Sequence, residues 1–112
     1  MPGFSAEHQV AAHYQRGGSR IDAHRWRGRY GGEIDLIARE GDTVIFVEVK
    51  KSRRHAVAAS HLSQRQIRRI WASADEFVAT HPEAANLNMR FDVALIDELG
   101  RIEILENAYC LI

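Results

Sequence analysis

The sequence predicts one α/β domain in which a mixed five-stranded sheet is flanked by helices. The predicted elements follow the order helix, three strands, helix, two strands, and no repeat, low-complexity segment or linker interrupts them. The 112 residues, 46% of them hydrophobic, suffice for a single core without staples. Residues 1–112 are therefore expected to form one domain.

The first helix is predicted to begin at Ser5, a residue type that caps helix N-termini, and to end near Gln15, before Gly17 and Gly18. Glu7 lies on the stripe of this helix that should pack inward. One interpretation is an acid that the helix dipole favours and that is partly solvated. The other is a carboxylate directed at a functional site. The sequence leaves both open.

Three strand segments follow. Arg20–Trp26 is the weakest, and a flexible, glycine-rich loop at Arg27–Gly32 leads from it into two stronger segments. Gly32–Arg39 and Thr43–Lys50 are rich in Ile and Val and alternate with a period of two. The connecting residues Glu40–Thr43 suit a type II′ turn, which has glycine at its first central position. The last two segments are therefore expected to form a β-hairpin.

The predicted hairpin brings charged side chains together. With a two-residue loop the numbers of paired residues sum to 83, so Asp35 lies opposite Glu48 and Glu33 lies opposite Lys50. Opposed side chains share one face of a sheet. Three carboxylates and one ammonium group then converge on this face. The reverse face is expected to be a core surface that carries Ile34, Leu36, Ala38, Ile45, Val47 and Val49.

Clustered carboxylates are destabilising unless something neutralises them, and a divalent cation is the direct candidate. The alternative is an ordinary solvated face on which Lys50 pairs with Glu33 or Glu48. The acids lie at one end of the face, whereas Ile37 and Phe46 lie toward the turn. This arrangement favours a partly covered cleft, and hence a cation site, over a plain solvent face.

The net charge is zero, but basic residues are concentrated early in the chain. Residues 1–69 carry 13 basic and 7 acidic side chains, and no acid lies between Val49 and Ala74. A basic patch beside an acidic cluster suits an enzyme that acts on phosphodiesters, because the patch neutralises phosphates. For any single arginine, solvated surface charge is the alternative. The residues predicted to bind nucleic acid are Lys51, Arg53, Arg54, Arg65, Arg68 and Arg69.

The second half of the chain begins with the clearest helix, predicted at Ser63–Thr80. Gln66 lies at the border of its apolar stripe, either as a solvated amide or within reach of a phosphate or a metal-bound water. Met89–Ile96 alternates like a strand, and a turn at residues 97–100 leads into a final short strand. The apolar stripe of the helix consists of Ile67, Ile70, Trp71, Ala74 and Val78.

The composition restricts the cellular compartments and partners that are expected for the protein. No apolar run approaches 18 residues and the N-terminus lacks a signal-peptide pattern, so no membrane partner is expected. Cys110, a plain apolar residue between neighbours of the same kind, is the single cysteine, which excludes an intrachain disulfide and a cysteine-based zinc site. A reducing cytoplasm fits this composition. The sequence does not fix the oligomeric state, and a homodimer is compatible with it.

An acid followed after about a dozen residues by Glu-x-Lys on the next strand resembles the PD-(D/E)xK, restriction-endonuclease-like nuclease superfamily. More closely, Gly32–Ala38 and Phe46–Lys50 resemble the YraN-type endonuclease family. The resemblance covers nearly the whole chain. It extends to short matches at Ala6-Glu7, Arg65-Gln66, Arg90–Val93 and Glu106–Tyr109.

The resemblance implies a restriction-endonuclease-like core and metal-dependent hydrolysis of phosphodiester bonds, with DNA as the expected substrate. It implies that Asp35 and Glu48 are ligands of Mg²⁺ or Mn²⁺, and that Lys50 assists the attacking water or binds the phosphate. Glu7 matches the family's acid in the first helix, and Gln66 matches its glutamine in the second. Glu33 joins the predicted metal ligands from the hairpin register.

Two other classes of function remain open at this stage. The main alternative is a non-catalytic nucleic-acid-binding module that has the nuclease fold. The third is a scaffold whose acidic C-terminal half docks a basic partner. The chain departs from the family pattern at residues 17–20 and 50–53, which concerns substrate contacts and leaves the acids unchanged.

Overall fold

The computed structural model describes residues 5–29, 32–51 and 63–108 and contains a five-stranded sheet in the order β1-β2-β3-β4-β5. Strands β3 and β4 are parallel, and the other neighbours are antiparallel. The predicted fold class and element order are confirmed. The elements are α1 (Ala6–Arg16), β1 (Arg20–Arg27), β2 (Glu33–Glu40), β3 (Thr43–Lys51), α2 (Gln64–Thr80), a short 3-10 helix (Pro82–Ala84), β4 (Asn88–Ile96) and β5 (Ile102–Leu105).

Some predictions concern residues outside these ranges. Arg53 and Arg54, which are predicted to bind nucleic acid, lie outside the described residues, and so does Cys110. Within the described ranges, no helix is long and apolar enough to cross a bilayer.

Helix α1 begins and ends where the sequence predicts. The Ser5 hydroxyl accepts a hydrogen bond from the His8 N–H, as an N-cap should. The helix stops at Gly17, and Gly18 follows with φ +100°, which favours glycine. One face of the helix packs on the sheet. The cluster that it forms contains Val10, Ala11, Tyr14, Leu36, Ala38, Ile45, Val47 and Ala94.

Helix α2 covers the opposite face of the sheet. Its N-cap is Ser63, whose hydroxyl accepts a hydrogen bond from the Gln66 N–H. Ile67, expected in the core, is half-buried and lies outside the buried cluster, whereas Phe77 is buried near its centre. The Phe77 and Phe46 rings meet edge to face, 6.1 Å apart. The buried α2 residues are Ile70, Ser73, Ala74 and Phe77.

The β2–β3 hairpin has the predicted register. The pairs from Glu40–Thr43 to Leu36–Val47 all sum to 83, and Gly41 has φ +58°, as the first central residue of a type II′ turn requires. The paired residues end at Leu36–Val47. Beyond that pair, the Asp35 carboxylate accepts a hydrogen bond of 2.8 Å from the Val49 N–H. The side chain of Asp35 therefore bridges the two strands where their ladder ends.

The predicted division of faces is correct near the turn and wrong at Ile34. That residue packs in the α2 cluster with Ile37 and Phe46, whereas Leu36 packs beneath α1. The neighbouring strand β1 is irregular as well, with a register shift between Ile21 and Ala23 and a positive φ at Arg25. Arg25 has φ +48°, and beyond it Trp26 pairs with Ile34 on the α2 side. Both faces of the sheet are thus buried, and the acids lie at the end of the hairpin away from its turn.

Candidate metal centre

An open pocket of about 420 Å³ lies where β2 and β3 stop pairing. The start of β2 and the end of β3 supply carboxylates to it, and the first turns of α2 supply an amide and a guanidinium. The pocket therefore joins the predicted acids to the predicted basic helix. Its lining residues are Arg27, Gly32, Glu33, Asp35, Glu48, Gln66, Arg69 and Ile70.

Asp35 and Glu48 are the two acids that the structure brings together. The Glu48 side chain is 11% exposed, and its Oε1 lies 3.8 Å from the Nζ of Lys50. Burial, followed by the negative charge of Asp35, raises the pKa of Glu48 to about 7, and a hydrogen bond between the two carboxyl groups contributes. Lys50 opposes this rise. The pair therefore holds more negative charge than its surroundings neutralise.

The pKa of Asp35 is raised as well. Burial is the largest cause, and the charges of Glu7 and Glu33 act in the same direction. The hydrogen bond from the Val49 N–H opposes the rise because it stabilises the ionised carboxylate. Two neighbouring carboxylates whose pKa values are both raised by burial are a typical feature of functional sites.

The remaining two acids are each held by an arginine. The Glu33 Oε2 lies 3.2 Å from Nη2 of Arg27, and the Glu7 Oε2 lies 2.8 Å from both Nε and Nη2 of Arg25. No group of three His, Cys, Asp or Glu side chains in residues 5–29, 32–51 and 63–108 is placed to hold a metal ion. The expected convergence of three carboxylates is therefore met by two. The metal-binding role of Glu33 stays a prediction.

The donor set fits a hard divalent cation. Mg²⁺ is usually held by one or two carboxylates together with waters and substrate phosphates, rather than by a closed protein cage. Asp35 and Glu48 supply the carboxylates, and the open pocket leaves room for the other oxygens. Residues expected from the sequence to assist are also present: Lys50 ion-pairs with Glu48, and Gln66 lines the pocket from α2.

The predicted basic residues do not all lie at this pocket. Arg69 lines it, and Arg65 and Arg68 are exposed on the same helix. Lys51 instead lines a separate cavity of about 470 Å³, with the start of α1 and the end of β4. Arg27, which the sequence interpretation omitted, lines the acidic pocket. The signal in the sequence that could have indicated Arg27 is its place among the arginines between Arg16 and Arg29.

The loop between β1 and β2 packs against α2 in its described part, and its flexibility stays a prediction. The Ser73 hydroxyl donates a hydrogen bond of 2.6 Å to the Gly32 carbonyl oxygen. A Cβ on Gly32 would collide with the backbone carbonyl of Arg69 and lie 2.9 Å from the Ser73 Oγ. Glu76 accepts hydrogen bonds of 2.8 and 3.0 Å from the Arg29 N–H. Glycine at position 32 thus permits the close approach that fixes the start of β2.

Another buried carboxylate, Asp92, lies apart from the pocket and has a different environment. It is fully buried and accepts a hydrogen bond of 2.8 Å from the Tyr14 hydroxyl and one of 3.0 Å from the Asn107 N–H. The Arg90 guanidinium donates two more, of 2.9 and 3.0 Å. Burial and the charge of Asp92 raise the pKa of Tyr14. This network ties α1, β4 and the chain after β5 together.

Sequence comparisons relate the chain to proteins of one family. The profile described as "Uncharacterised protein family UPF0102" matches residues 6–96, a range that contains every pocket residue. A UPF0102 protein of Cereibacter sphaeroides is 57% identical over 107 residues, which cover 96% of this chain and 91% of the relative. One from Ruegeria pomeroyi is 53% identical, with 97% and 88% covered. One from Azorhizobium caulinodans is 47% identical, with 96% and 81% covered.

Proposed function

The chain belongs to the uncharacterised protein family UPF0102, and we propose that it is a metal-dependent nuclease that hydrolyses phosphodiester bonds in DNA. The observation that carries the proposal is the adjacent pair Asp35 and Glu48, half-buried and buried respectively in the lining of an open pocket and short of neutralising charge. Such a pair costs stability, and a bound cation would remove that cost. A pocket of this kind beside exposed arginines suits a phosphodiester substrate.

Asp35 and Glu48 would hold Mg²⁺ or Mn²⁺. The bound cation would polarise the phosphate and lower the pKa of an attacking water. Among the protein's own groups, Lys50 lies beside Glu48 and would donate a hydrogen bond to the attacking oxygen or to the phosphate as negative charge develops. Gln66 faces the same pocket and would orient the phosphate or the water through its amide.

Substrate binding would use the arginines of α2 and of the loop before β2. Arg69 and Arg27 line the pocket, and Arg65 and Arg68 extend the positive surface along the exposed side of the helix. Guanidinium groups bind phosphates in a bidentate manner and carry a charge at any physiological pH. A nucleic-acid strand that follows α2 would therefore bring one of its phosphates into the pocket.

The test is a cleavage assay on single-stranded, flapped and branched DNA and on the matching RNA, with Mg²⁺, Mn²⁺ or EDTA. Cleavage should require metal, and Asp35→Asn and Glu48→Gln should each lower the rate about 100-fold or more, since each removes a metal ligand. Glu40→Gln is the matched control, because Glu40 is exposed on the same hairpin. Metal-independent cleavage, or equal rates in all variants, would contradict the proposal.

A nucleic-acid-binding module without catalysis is the second candidate. The observation in its favour is that Glu7 and Glu33 are engaged by arginines, so that two carboxylates remain for a metal. A module of this kind would bind nucleic acid with a steep salt dependence and no cleavage. Its binding would also be the same in EDTA and in Mn²⁺, whereas the nuclease should bind substrate more tightly when metal is present.

A further inference from the structure

Arg25 has an unusual backbone conformation for a residue inside a strand. Its φ of +48° lies in the left-handed region, which is strained for residues other than glycine. The conformation changes where the side chains point. The His24 ring lies 5.7 Å from His8 of α1, and Arg25 also reaches α1, whereas the Trp26 ring lies 5.4 Å from Phe77 of α2. Two consecutive side chains of β1 thus face the same helix.

The result of this conformation is a short ion pair with Glu7. The Nε and Nη2 atoms of Arg25 both lie 2.8 Å from the Glu7 Oε2, although the arginine side chain is 64% exposed. The hydrogen bond and charge of Glu7 raise the pKa of Arg25, and Glu33 and Asp35 contribute to the rise. Arg25 therefore lies within the electric field of the whole acidic group and not of Glu7 alone.

The charges at this end of the sheet nearly balance. In the described part of the chain, three acids each form an ion pair with one cation, and the fourth acid, Asp35, forms none. With all four acids ionised, these ion pairs leave one negative charge, and Arg69, which also lines the pocket, offsets it. A divalent cation would therefore add positive charge, which a phosphodiester would reduce. The side chains in this count are Glu7, Glu33, Asp35, Glu48, Arg25, Arg27 and Lys50.

We propose that Arg25 is the counter-cation of the metal-free site: it neutralises Glu7 beside the Asp35–Glu48 pair and thereby lowers the affinity of the site for a divalent cation. Without the charge of Arg25, the group would hold one more uncompensated negative charge, which favours a divalent cation even without a substrate phosphate. With Arg25 in place, tight metal binding is favoured when a phosphodiester arrives. The inference rests on the proposed metal site and adds a residue that controls when that site is filled.

The experiment measures Mn²⁺ affinity by isothermal titration calorimetry at low salt. Arg25→Gln should bind Mn²⁺ about 5- to 30-fold more tightly than the wild type, because a nearby positive charge no longer repels the ion. The gain should shrink in 0.5 M salt, which screens exposed charges. Arg25→Lys retains the charge and should bind like the wild type.

Arg20→Gln is the matched control. Arg20 lies on the same strand, is 65% exposed and pairs with Asp22 at 2.9 Å, but it lies opposite Arg39, roughly 13 Å along β2 from Asp35. This variant should bind Mn²⁺ like the wild type. Arg25→Gly keeps the test possible if Arg25→Gln folds poorly, because glycine adopts a φ of +48° without strain.

The outcomes separate this inference from the proposed function. If the wild type binds Mn²⁺ and Arg25→Gln binds it no more tightly than Arg20→Gln does, the counter-cation role is overturned and the metal site stands. Weaker binding by Arg25→Gln also overturns it, and would mean that Arg25 positions Glu7 as a ligand. If no variant binds Mn²⁺, both the metal site and the role of Arg25 fail. Binding by Arg25→Gln and Arg25→Gly alone would support the inference.

Discussion

A buried carboxylate, Asp92, and the adjacent pair Asp35 and Glu48 lie on one sheet in opposite environments. Asp92 accepts hydrogen bonds from Tyr14, Asn107 and the Arg90 guanidinium, which neutralises its charge. Burial instead raises the pKa of both Asp35 and Glu48, the charge of Asp35 raises that of Glu48 further, and the cation paired with Glu48 lies 3.8 Å away. A carboxylate with a full set of hydrogen bonds stabilises a fold, whereas carboxylates with raised pKa values cost stability and occur typically at functional sites. The difference supports a structural role for Asp92 and the proposed metal-binding role for Asp35 and Glu48.

The largest effect is expected at Asp92. Asp92→Ala should destabilise the protein by about 3–5 kcal/mol, because it leaves the Arg90 guanidinium and the Tyr14 hydroxyl without their buried partner. Urea unfolding measures the loss. Asp75→Ala, on the exposed side of α2, is the control and should change stability little. If Asp92→Ala lowers the free energy of unfolding by less than about 1 kcal/mol, Asp92 does not have the structural role that the comparison gives it.

A substitution at Gly32, where the loop before β2 packs against α2, should have an effect of intermediate size on stability. Gly32→Ala should cost about 1–3 kcal/mol, because its Cβ would collide with the backbone of Arg69. It should also weaken Mn²⁺ binding, since it displaces the start of β2. Gly17→Ala is the control: its Cβ would lie 3.5 Å from the Tyr14 carbonyl oxygen at a φ of −82°, so no strain is expected. Equal stability of the two variants in urea would show that the close contact between Gly32 and α2 does not position the site.

Glu48 should make metal-free stability depend on pH. Its pKa of about 7 in the folded protein exceeds the ordinary 4.5, so between these values the unfolded chain has lost a proton that the folded protein still holds. Stability therefore falls as the pH rises through this window, and the penalty is complete above about pH 7. Glu48→Gln removes the penalty. In EDTA it should be more stable than the wild type by about 1–3 kcal/mol at pH 8, and by much less at pH 5.

Urea unfolding of both proteins at the two pH values tests this prediction. The comparison with Asp92 is sharpened if the advantage of Glu48→Gln is confined to high pH. A variant that is less stable than the wild type at pH 8 would make Glu48 a structural acid like Asp92.

Local chemistry explains what the sequence predicted. The hairpin register follows from the glycine at position 41 and from the period-two alternation on either side, both of which act within a few residues. The helix caps at Ser5 and Ser63 are local in the same way. The family predicted from the motifs in β2 and β3 is confirmed by the match over residues 6–96.

The features that escaped prediction depend on contacts between distant segments. The positive φ of Arg25 and the packing of Ile34 in the α2 cluster are not encoded in any local pattern of the sequence. The same holds for the capture of Glu7 by Arg25 and for the approach of Gly32 to α2. Asp92 lies in Arg90–Val93, one of the segments that resemble the family. Its hydrogen bond with Tyr14, 78 residues earlier in the chain, could not be predicted from that segment.

The most direct test of the central claim is the thermal unfolding of the wild type and Asp35→Asn, each with and without Mn²⁺. Asparagine can still accept the Val49 N–H, so without metal the variant should be as stable as the wild type or up to about 1 kcal/mol more stable, through relief of repulsion. Asp42→Asn, exposed in the same hairpin, is the control.

Metal at 100 times its Kd should stabilise the wild type and Asp42→Asn by about 2.7 kcal/mol and leave Asp35→Asn unchanged, because binding to the native state raises stability by mass action. This result would identify Asp35 as a metal ligand that costs stability when the site is empty. A strongly destabilised Asp35→Asn, together with a wild type that is indifferent to Mn²⁺, would contradict the account and make the pair structural.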